Sequence, residues 1–219
     1  MEKWASNDLF IMEQLIENDA LFDDILESNR KSNFPDYEVS ATQGKFLYLL
    51  AKIKGAKRIL EIGTFVGYST IWLAKALPND GALISLEFET EFADMARKNI
   101  ERAGFSDKVQ VIQGAAADSL NALIAQKTEP LDMIFIDADK PSYPIYLELS
   151  LKLSKSGTVI YADNIVRNGE LCNKNNPDEK VIGVRQFVEK LGKSANIEST
   201  ALQTVGLKGY DGFTISIVH

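Results

Sequence analysis

Short apolar runs alternate with helical stretches along the chain from residue 58 onward, and this alternation constrains the fold more than any other feature. Such runs, bounded by glycine, proline or polar residues, are predicted to be strands. Five of them precede the last predicted helix, at 58–62, 82–86, 109–112, 133–136 and 157–161. The run MIFI is apolar throughout, as is typical of a parallel strand buried on both faces. The pattern predicts an α/β fold with a doubly wound, mostly parallel sheet.

The last two apolar runs break the alternation, because no helix separates them. Residues 197–204 and 213–218 are joined by a short glycine-rich turn. Parallel neighbours need a longer crossover, so this pair is predicted to be antiparallel. No repeat or linker divides the chain, and its 219 residues suit a single domain, 1–219.

The first part of the chain is predicted to be helical. Apolar residues recur at helical spacing over 1–30 and again over 42–54, so residues 1–54 form an N-terminal helical segment ahead of an α/β core, 55–219. The first stretch carries more apolar positions than a solvated arm needs. We expect it to bury part of this face against a second subunit and form a homodimer; packing on its own domain is the alternative.

Composition removes several classes of function. The one histidine, His219, is the last residue, which disfavours a Ser-His-Asp triad, a Cys-His pair and a histidine-rich zinc site. A net charge of −7 disfavours nucleic acid as a partner. The one cysteine, Cys172, allows no intrachain disulfide. With no secretory-type N-terminus and no apolar run of membrane-spanning length, we expect a cytoplasmic location and no membrane partner.

The first strand leads into a turn that suits a nucleoside cofactor. Its sequence, EIGTFVGYS, places Gly63 and Gly67 four residues apart between a strand and a helix. Glu87 follows the next strand, 20 residues beyond Gly67, where an acid accepts hydrogen bonds from ribose hydroxyls. The spacing is not GxGxxG, and two acids, Glu61 and Glu87, favour a cationic ligand over a diphosphate. Plain loop glycines beside a surface acid are the alternative.

Oxygen-bearing side chains follow the fourth and fifth strands. Asp137 comes directly after one strand, and Asp163 and Asn164 end the other. Adjacent strands would bring the three together, and hard oxygens suit Mg²⁺, Mn²⁺ or Ca²⁺. The alternative is that both aspartates cap the helices that follow them.

Lys140 lies three residues past Asp137. Beside a divalent cation its ammonium would be destabilised, so its pKa would fall from about 10.4 toward the working pH. Lys140 is therefore a candidate general base. A solvated loop lysine is the alternative.

The four segments EIGTFVGYST, Glu87, IDADKPSY and YADN occur in this order and at fitting spacing. Together they resemble the class I S-adenosylmethionine-dependent O-methyltransferases of the caffeoyl-CoA and catechol type, in their bacterial form. The resemblance runs from about residue 39 to 219, and IDADK followed by a strand that ends in DN is its specific part. It implies a Rossmann-like, seven-stranded sheet with a reversed last strand.

The resemblance also implies a role for individual residues. The implied cofactor-binding residues are Glu61, Gly63 and Ser69 around the methionine portion, Glu87 at the ribose, Ala116 at the adenine, Val39 closing over the cofactor, and Asp137. The implied metal ligands are Asp137, Asp163 and Asn164, and the implied base is Lys140.

The implied reaction is a divalent-metal-dependent transfer of a methyl group from S-adenosylmethionine to a hydroxyl of a catechol, a small phenolic molecule. Plant members of the family prefer a CoA ester and animal members a free catechol, and the loop 164–178 does not decide between them. Within it, Arg167 either contacts an acidic substrate or pairs with a neighbouring acid.

Three other functions compete with this reading. A NAD-dependent Rossmann oxidoreductase is disfavoured by the glycine spacing, and an RNA methyltransferase by the acidic charge. A non-catalytic nucleoside-binding protein on the same fold is disfavoured by the complete set of Asp137, Lys140, Asp163 and Asn164.

Overall fold

The computed structural model describes residues 3–219 and contains one seven-stranded sheet. The strands are β1 Arg58–Ile62, β2 Ala82–Glu87, β3 Val109–Gln113, β4 Leu131–Ile136, β5 Ser154–Asp163, β6 Ile197–Gly206 and β7 Gly209–Val218. The helices are α1 Lys3–Leu15, α2 Ala20–Lys31, α3 Ala41–Lys54, α4 Tyr68–Ala76, α5 Thr90–Arg102, α6 Ala116–Ala125, α7 Tyr143–Lys152 and α8 Glu179–Lys193. Short 3₁₀ turns lie at Lys140–Ser142 and Glu170–Cys172.

The strand order is β3-β2-β1-β4-β5-β7-β6. The first five strands of this order are parallel, β7 runs antiparallel to β5, and β6 pairs antiparallel with β7 as a hairpin. The prediction of a doubly wound, mostly parallel sheet with a reversed last strand is therefore confirmed. Strand β4 is buried along its whole length, as its continuous apolar sequence predicts.

Apolar side chains form one core on each face of the sheet. One core packs α6, α7 and α8 against the sheet, and the other packs α2, α3, α4 and α5 against the opposite face. None of the described helices is long and apolar enough to cross a membrane.

The helix predicted over residues 1–30 forms two helices within the described residues, and its first two positions lie outside them. Helix α1 ends at Leu15, and α2 begins at Ala20 with Asp19 as its N-cap, where the Asp19 side chain accepts a hydrogen bond from the backbone N–H of Leu21. An aspartate in this role starts a new helix, because it binds a backbone donor that has no partner within the helix. The spacing of apolar residues alone does not predict this break between the two helices.

Helix α8 approaches the Lys140–Ser142 turn closely at Gly183. A Cβ atom at this position would overlap the carbonyl oxygen of Lys140 and lie 2.6 Å from the Cα of Pro141. These atoms belong to the backbone, so they cannot move aside as a flexible side chain can. The missing side chain at Gly183 therefore sets how the turn that carries Lys140 sits against α8.

We predict that Gly183→Ala lowers the free energy of unfolding by about 1–3 kcal/mol, the usual cost of overpacking a close contact. The matched control is Gly192→Ala on the same helix, because nothing lies within 4 Å of a Cβ there. Alanine favours helix by up to ~1 kcal/mol over glycine, so the control is expected to be neutral or stabilising. Urea unfolding measures the free energy of unfolding of the wild type and of both variants. Equal values for Gly183→Ala and Gly192→Ala would contradict a close contact at Gly183.

Candidate active site

Two cavities open at the carboxyl ends of the parallel strands, where α/β sheets bind their ligands. The first has a volume of about 850 Å³ and lies over the ends of β1, β2 and β4. The second, of about 460 Å³, lies between the N-terminal segment, the end of β5 and the β6–β7 turn. The residues that line both cavities are Tyr37, Glu38, Val39, Asp137 and Asn164.

Glu87 shapes the first cavity at the end of β2. Its Oε2 accepts hydrogen bonds from the backbone N–H groups of Thr64 (3.2 Å) and Phe65 (2.7 Å). Its Oε1 accepts one from the N–H of Glu89 at 2.9 Å. The carboxylate therefore holds the turn between Gly63 and Gly67 against β2 while it lines the cavity.

Glu61 lies behind the cavity wall and is completely buried. Its carboxylate accepts hydrogen bonds from the hydroxyls of Ser69 (2.5 Å), Thr70 (2.5 Å) and Ser85 (2.6 Å). Burial raises the pKa of Glu61 to about 7, while the three hydroxyls act in the opposite direction by stabilising the anion. Glu61 lines neither cavity, and of these residues only Ser69 faces the first one.

The other implied cofactor residues are brought together. Gly63, Ser69 and Ala116 line the first cavity, and Val39 lines both. A Cβ at Gly63, where φ is +98°, would overlap the carbonyl oxygen of Asp137, so only glycine lets β1 and β4 end this close together.

Sequence reasoning missed an aromatic wall in the first cavity. The ring of Phe65 lies 4.8 Å from that of Phe92 and 5.8 Å from that of Tyr37, centroid to centroid. Phe88 lines the same cavity and is largely exposed. The available signal was Phe88 directly after Glu87, with Phe92 one helical turn further on. Flat apolar rings beside an acid are suited to a nucleoside base and its ribose.

Lys140 is buried at the end of β4, with 7% of its surface exposed. Its Nζ lies 2.7 Å from Oδ1 of Asp137 and 5.0 Å from the centroid of the Tyr143 ring. The reading of Lys140 as a solvated loop lysine is therefore wrong, because the side chain is paired and faces the first cavity.

Asp163 ends β5 and is 3% exposed. Its Oδ1 accepts a hydrogen bond from the N–H of Asn164 at 2.9 Å, and its Oδ2 accepts one from Nε2 of Gln43 at 3.4 Å. Burial, and next the charge of Asp137, raise the pKa of Asp163 to about 7. Gln43 was not predicted from the sequence; its only local signal is its place in the capping box of α3.

The register of the sheet explains why these side chains meet. Ile136 of β4 pairs with Ala162 of β5, so Asp137 and Asp163 follow at neighbouring strand ends. The Tyr143 hydroxyl lies 3.2 Å from the carbonyl oxygen of Ile136 and 2.9 Å from that of Asp163, which fixes both ends. Neither aspartate caps a helix: the Lys140–Ser142 turn begins after Asp139 and the next one after Gly169.

The donor set at the strand ends is two carboxylates and one amide. Across residues 3–219, no group of three histidine, cysteine, aspartate or glutamate side chains converges as a metal site. Asp137, Asp163 and Asn164 nevertheless supply hard oxygens. The charge of Asp137 opposes ionisation of Asp163, and a bound cation would relieve this repulsion. The residues present therefore fit a divalent cation.

Arg167 lies in the segment 164–178, which is a loop with one 3₁₀ turn, as predicted. Its side chain lines the first cavity. Within the described part of the chain it forms no ion pair, and its Nε is buried without a hydrogen-bond partner. The alternative that Arg167 pairs with a neighbouring acid is therefore wrong.

Known proteins match most of this chain. The profile of a family described as O-methyltransferase matches residues 12–216. A catechol O-methyltransferase from Niastella koreensis is 47% identical over 202 residues, which are 92% of this chain and 91% of that protein. A caffeoyl-CoA O-methyltransferase 1 from Zea mays is 38% identical over 159 residues, 71% of this chain and 62% of that protein.

Solved structures agree with the sequence matches. The crystal structure of the O-methyltransferase from Bacillus cereus in complex with SAH superposes with a TM-score of 0.97 at 49% identity, over 99% of this chain and 98% of that one. The resemblance seen in the sequence motifs is confirmed, and this chain belongs to the O-methyltransferase family.

Proposed function

We propose that this chain, acting as a single methyltransferase domain, transfers a methyl group from S-adenosylmethionine to a hydroxyl of a catechol-type small molecule with the aid of a divalent cation. One observation carries the proposal. The oxygen donors that follow β4 and β5 lie where the two cavities meet, with Lys140 buried beside them. A methyl donor in one cavity and an acceptor in the other would bring their reacting atoms together at this point.

The first cavity suits the methyl donor. Among residues 3–219, Glu87 Oε1 accepts a single backbone hydrogen bond, so it keeps acceptor capacity for a ribose hydroxyl. The aromatic wall would cover the adenine, with Ala116 at its edge. Gly63, Ser69 and Val39 would border the methionine portion, while Glu61 acts from behind by holding the Ser69 hydroxyl. The Bacillus cereus relative binds SAH, the demethylated form of this donor.

Asp137, Asp163 and Asn164 would hold the cation, Mg²⁺ in the first instance and Mn²⁺ or Ca²⁺ as alternatives. When bound, it would orient the two vicinal oxygens of the acceptor and lower the pKa of the hydroxyl that reacts. Gln43 and the N–H of Asn164 steady the Asp163 carboxylate, so that this ligand is in place before the acceptor arrives.

As a neutral amine, Lys140 would accept the proton of the reacting hydroxyl at Nζ. The Asp137 pair and the Tyr143 ring hold this nitrogen at the cavity wall. The deprotonated oxygen then attacks the methyl carbon as the carbon–sulfur bond breaks, and the sulfonium becomes a neutral thioether. Proximity of donor and acceptor supplies much of the acceleration.

The same observations disfavour the alternative functions, an oxidoreductase and a non-catalytic binding protein. The family match and the Bacillus cereus complex do not favour a NAD-dependent oxidoreductase. A non-catalytic binding protein would not require a buried lysine beside paired carboxylates. The relatives carry both catechol and caffeoyl-CoA names, so the acceptor is proposed at the level of the catechol group. The absence of a nucleic-acid partner and the cytoplasmic location stay predictions.

We predict that exhaustive chelation abolishes methylation of catechol, caffeate, its CoA ester and catechol-bearing flavonoids, and that Mg²⁺ or Mn²⁺ restores it. Asp163→Ala should lose the metal-dependent rate while its affinity for S-adenosylmethionine, measured by calorimetry, stays unchanged. The exposed Asp107 provides the control, because Asp107→Ala removes a carboxylate far from β4 and β5. Unchanged rates after chelation would overturn the metal proposal.

Lys140→Ala is expected to lower kcat about 10²–10⁴-fold, the usual weight of a positioned general base. Affinity for the methyl donor should barely change. The defect should shrink at high pH, where solvent hydroxide removes the proton, and a kcat profile against pH for both proteins measures this. Lys98→Ala on α5 serves as the control for loss of a surface lysine. A Lys140→Ala rate within twofold of the wild type would remove Lys140 from the mechanism.

We also propose that the chain forms a homodimer through α1. Large apolar side chains of this helix remain exposed, and α1 lies against β6 and α3, which expose more of them. These side chains are Trp4, Leu9, Phe10, Ile11 and Leu15 on α1, Leu49 and Ile53 on α3, and Leu202 and Val205 on β6. An apolar patch of this kind marks an interface more often than a solvated surface.

Light scattering at micromolar concentration should give twice the 24.3 kDa mass of the chain. Phe10→Glu combined with Leu15→Glu should convert the dimer to a monomer, because two carboxylates would have to be desolvated at the interface. Glu13→Ala, on the same helix, should leave the mass unchanged. A monomeric wild type would contradict the proposal.

A further inference from the structure

Arg167 is the cation of the first cavity that nothing in the described chain neutralises. Lys140, which also lines the cavity, is paired with Asp137, and Lys180 extends into solvent. The guanidinium of Arg167 has no ion-pair partner among residues 3–219, although acidic residues outnumber basic ones in the chain. A buried donor without a partner is costly, so such a group is usually matched by something that binds.

The backbone conformation at Arg167 is held in place by hydrogen bonds to the Asp211 carboxylate. Arg167 has φ +53°, a left-handed conformation that non-glycine residues adopt at a cost of about 1 kcal/mol or more. The Asp211 carboxylate compensates, because its Oδ1 accepts hydrogen bonds from the N–H groups of Val166 (2.8 Å) and Arg167 (3.1 Å). The preceding side chains, Ile165 and Val166, are buried in the core. The backbone at Arg167 is therefore fixed three residues after Asn164, a residue that lines both cavities.

The second cavity offers no unpaired cation among the described residues that line it. The one lysine that lines it, Lys208, forms an ion pair with Asp36, and the Nζ of Lys208 lies 2.9 Å from the Oδ2 of Asp36. The other charged side chains along its wall are carboxylates, namely Asp8, Glu38, Asp137, Asp163 and Asp211. The anionic substituent of an acceptor whose ring lies in the second cavity would therefore be directed away from these carboxylates and toward Arg167, across the boundary at Asn164 that the two cavities share.

We infer that Arg167 binds an anionic substituent of the acceptor, a carboxylate on the side chain of the catechol ring, and so fixes which of the two hydroxyls meets the methyl group. This inference rests on the proposed function. A guanidinium binds a carboxylate through two parallel hydrogen bonds, which determines orientation as well as affinity. An acceptor without the anion would lack this anchor, and its ring could turn over.

The test compares caffeate with caffeate methyl ester, which share the catechol ring and differ in the carboxylate. Arg167→Met should lower kcat/KM for caffeate about 10–100-fold, the weight of a charge-assisted hydrogen bond. The ester should change less than threefold. The ratio of the two methylated regioisomers formed from caffeate should move to the ratio formed from the ester, a result that a merely structural role would not produce.

Two matched variants remove other cations. Lys180→Met takes away the exposed lysine of the same cavity, and Lys174→Met takes away a loop charge outside both cavities. Both should preserve the preference for caffeate. If Lys180→Met abolishes it while Arg167→Met does not, or if Arg167→Met slows acid and ester equally, the inference is overturned.

Two further measurements keep the inference falsifiable should Arg167→Met fail to fold. Arg167→Lys keeps the charge and loses the paired hydrogen bonds, so it should retain part of the affinity and little of the regioselectivity. In the wild type alone, the acid and the ester must give different regioisomer ratios, and equal ratios would refute the role of the anion. Failure of the proposed function is a separate outcome, in which the wild type methylates neither compound.

Discussion

The structure depends on one buried carboxylate, that of Glu61 in the central strand β1. An ionised group that is fully withdrawn from water costs several kcal/mol unless its lone pairs are satisfied. Here the hydroxyls of Ser69 and Thr70 come from α4, and that of Ser85 comes from β2, where Ser85 pairs with Glu61 across the sheet. The carboxylate thus ties two strands and a helix together beneath the first cavity. The turn that starts at Gly63 lies above this network and is held against β2 by the Glu87 carboxylate.

Negative charge accumulates around the same edge of the sheet. Glu61 lies beneath the first cavity, Glu87 on its wall, and Asp137 and Asp163 where the two cavities adjoin. Carboxylates gathered in a low-dielectric cleft focus a negative potential, which favours cationic ligands. The methyl donor carries a sulfonium and the proposed metal carries two charges, so both match this field. Transfer of the methyl group neutralises the sulfonium, which removes its attraction to these carboxylates.

Much of the fold could be predicted because its signals are local. Buried parallel strands are continuously apolar, and the residues that follow them end at one edge of the sheet, so the positions of Glu87, Asp137 and Asp163 could be inferred from spacing. The rest depends on tertiary contacts. The hydrogen bond from Ser85 to Glu61 joins residues 24 positions apart, and the bond from Gln43 to Asp163 joins residues 120 positions apart. The buried Nε of Arg167 has no partner among the described residues, and no local sequence pattern indicates this. Apolar periodicity likewise could not predict the helix break at Asp19, because an N-cap depends on one polar side chain and not on apolar spacing.

The two cavities are lined by different parts of the chain. The first is built from the ends of central strands, whose glycine turn and buried acid tolerate little change. The second is closed by the two ends of the chain: Asp8 of α1 accepts a hydrogen bond from the N–H of Leu207 at 2.9 Å, and Lys208 of the same turn bonds to Asp36. These ties are surface contacts worth about 1 kcal/mol each, far less than the core contacts beneath the first cavity. With the acceptor in the second cavity, as proposed, substitutions in its outer wall would change the acceptor and leave the proposed donor site intact.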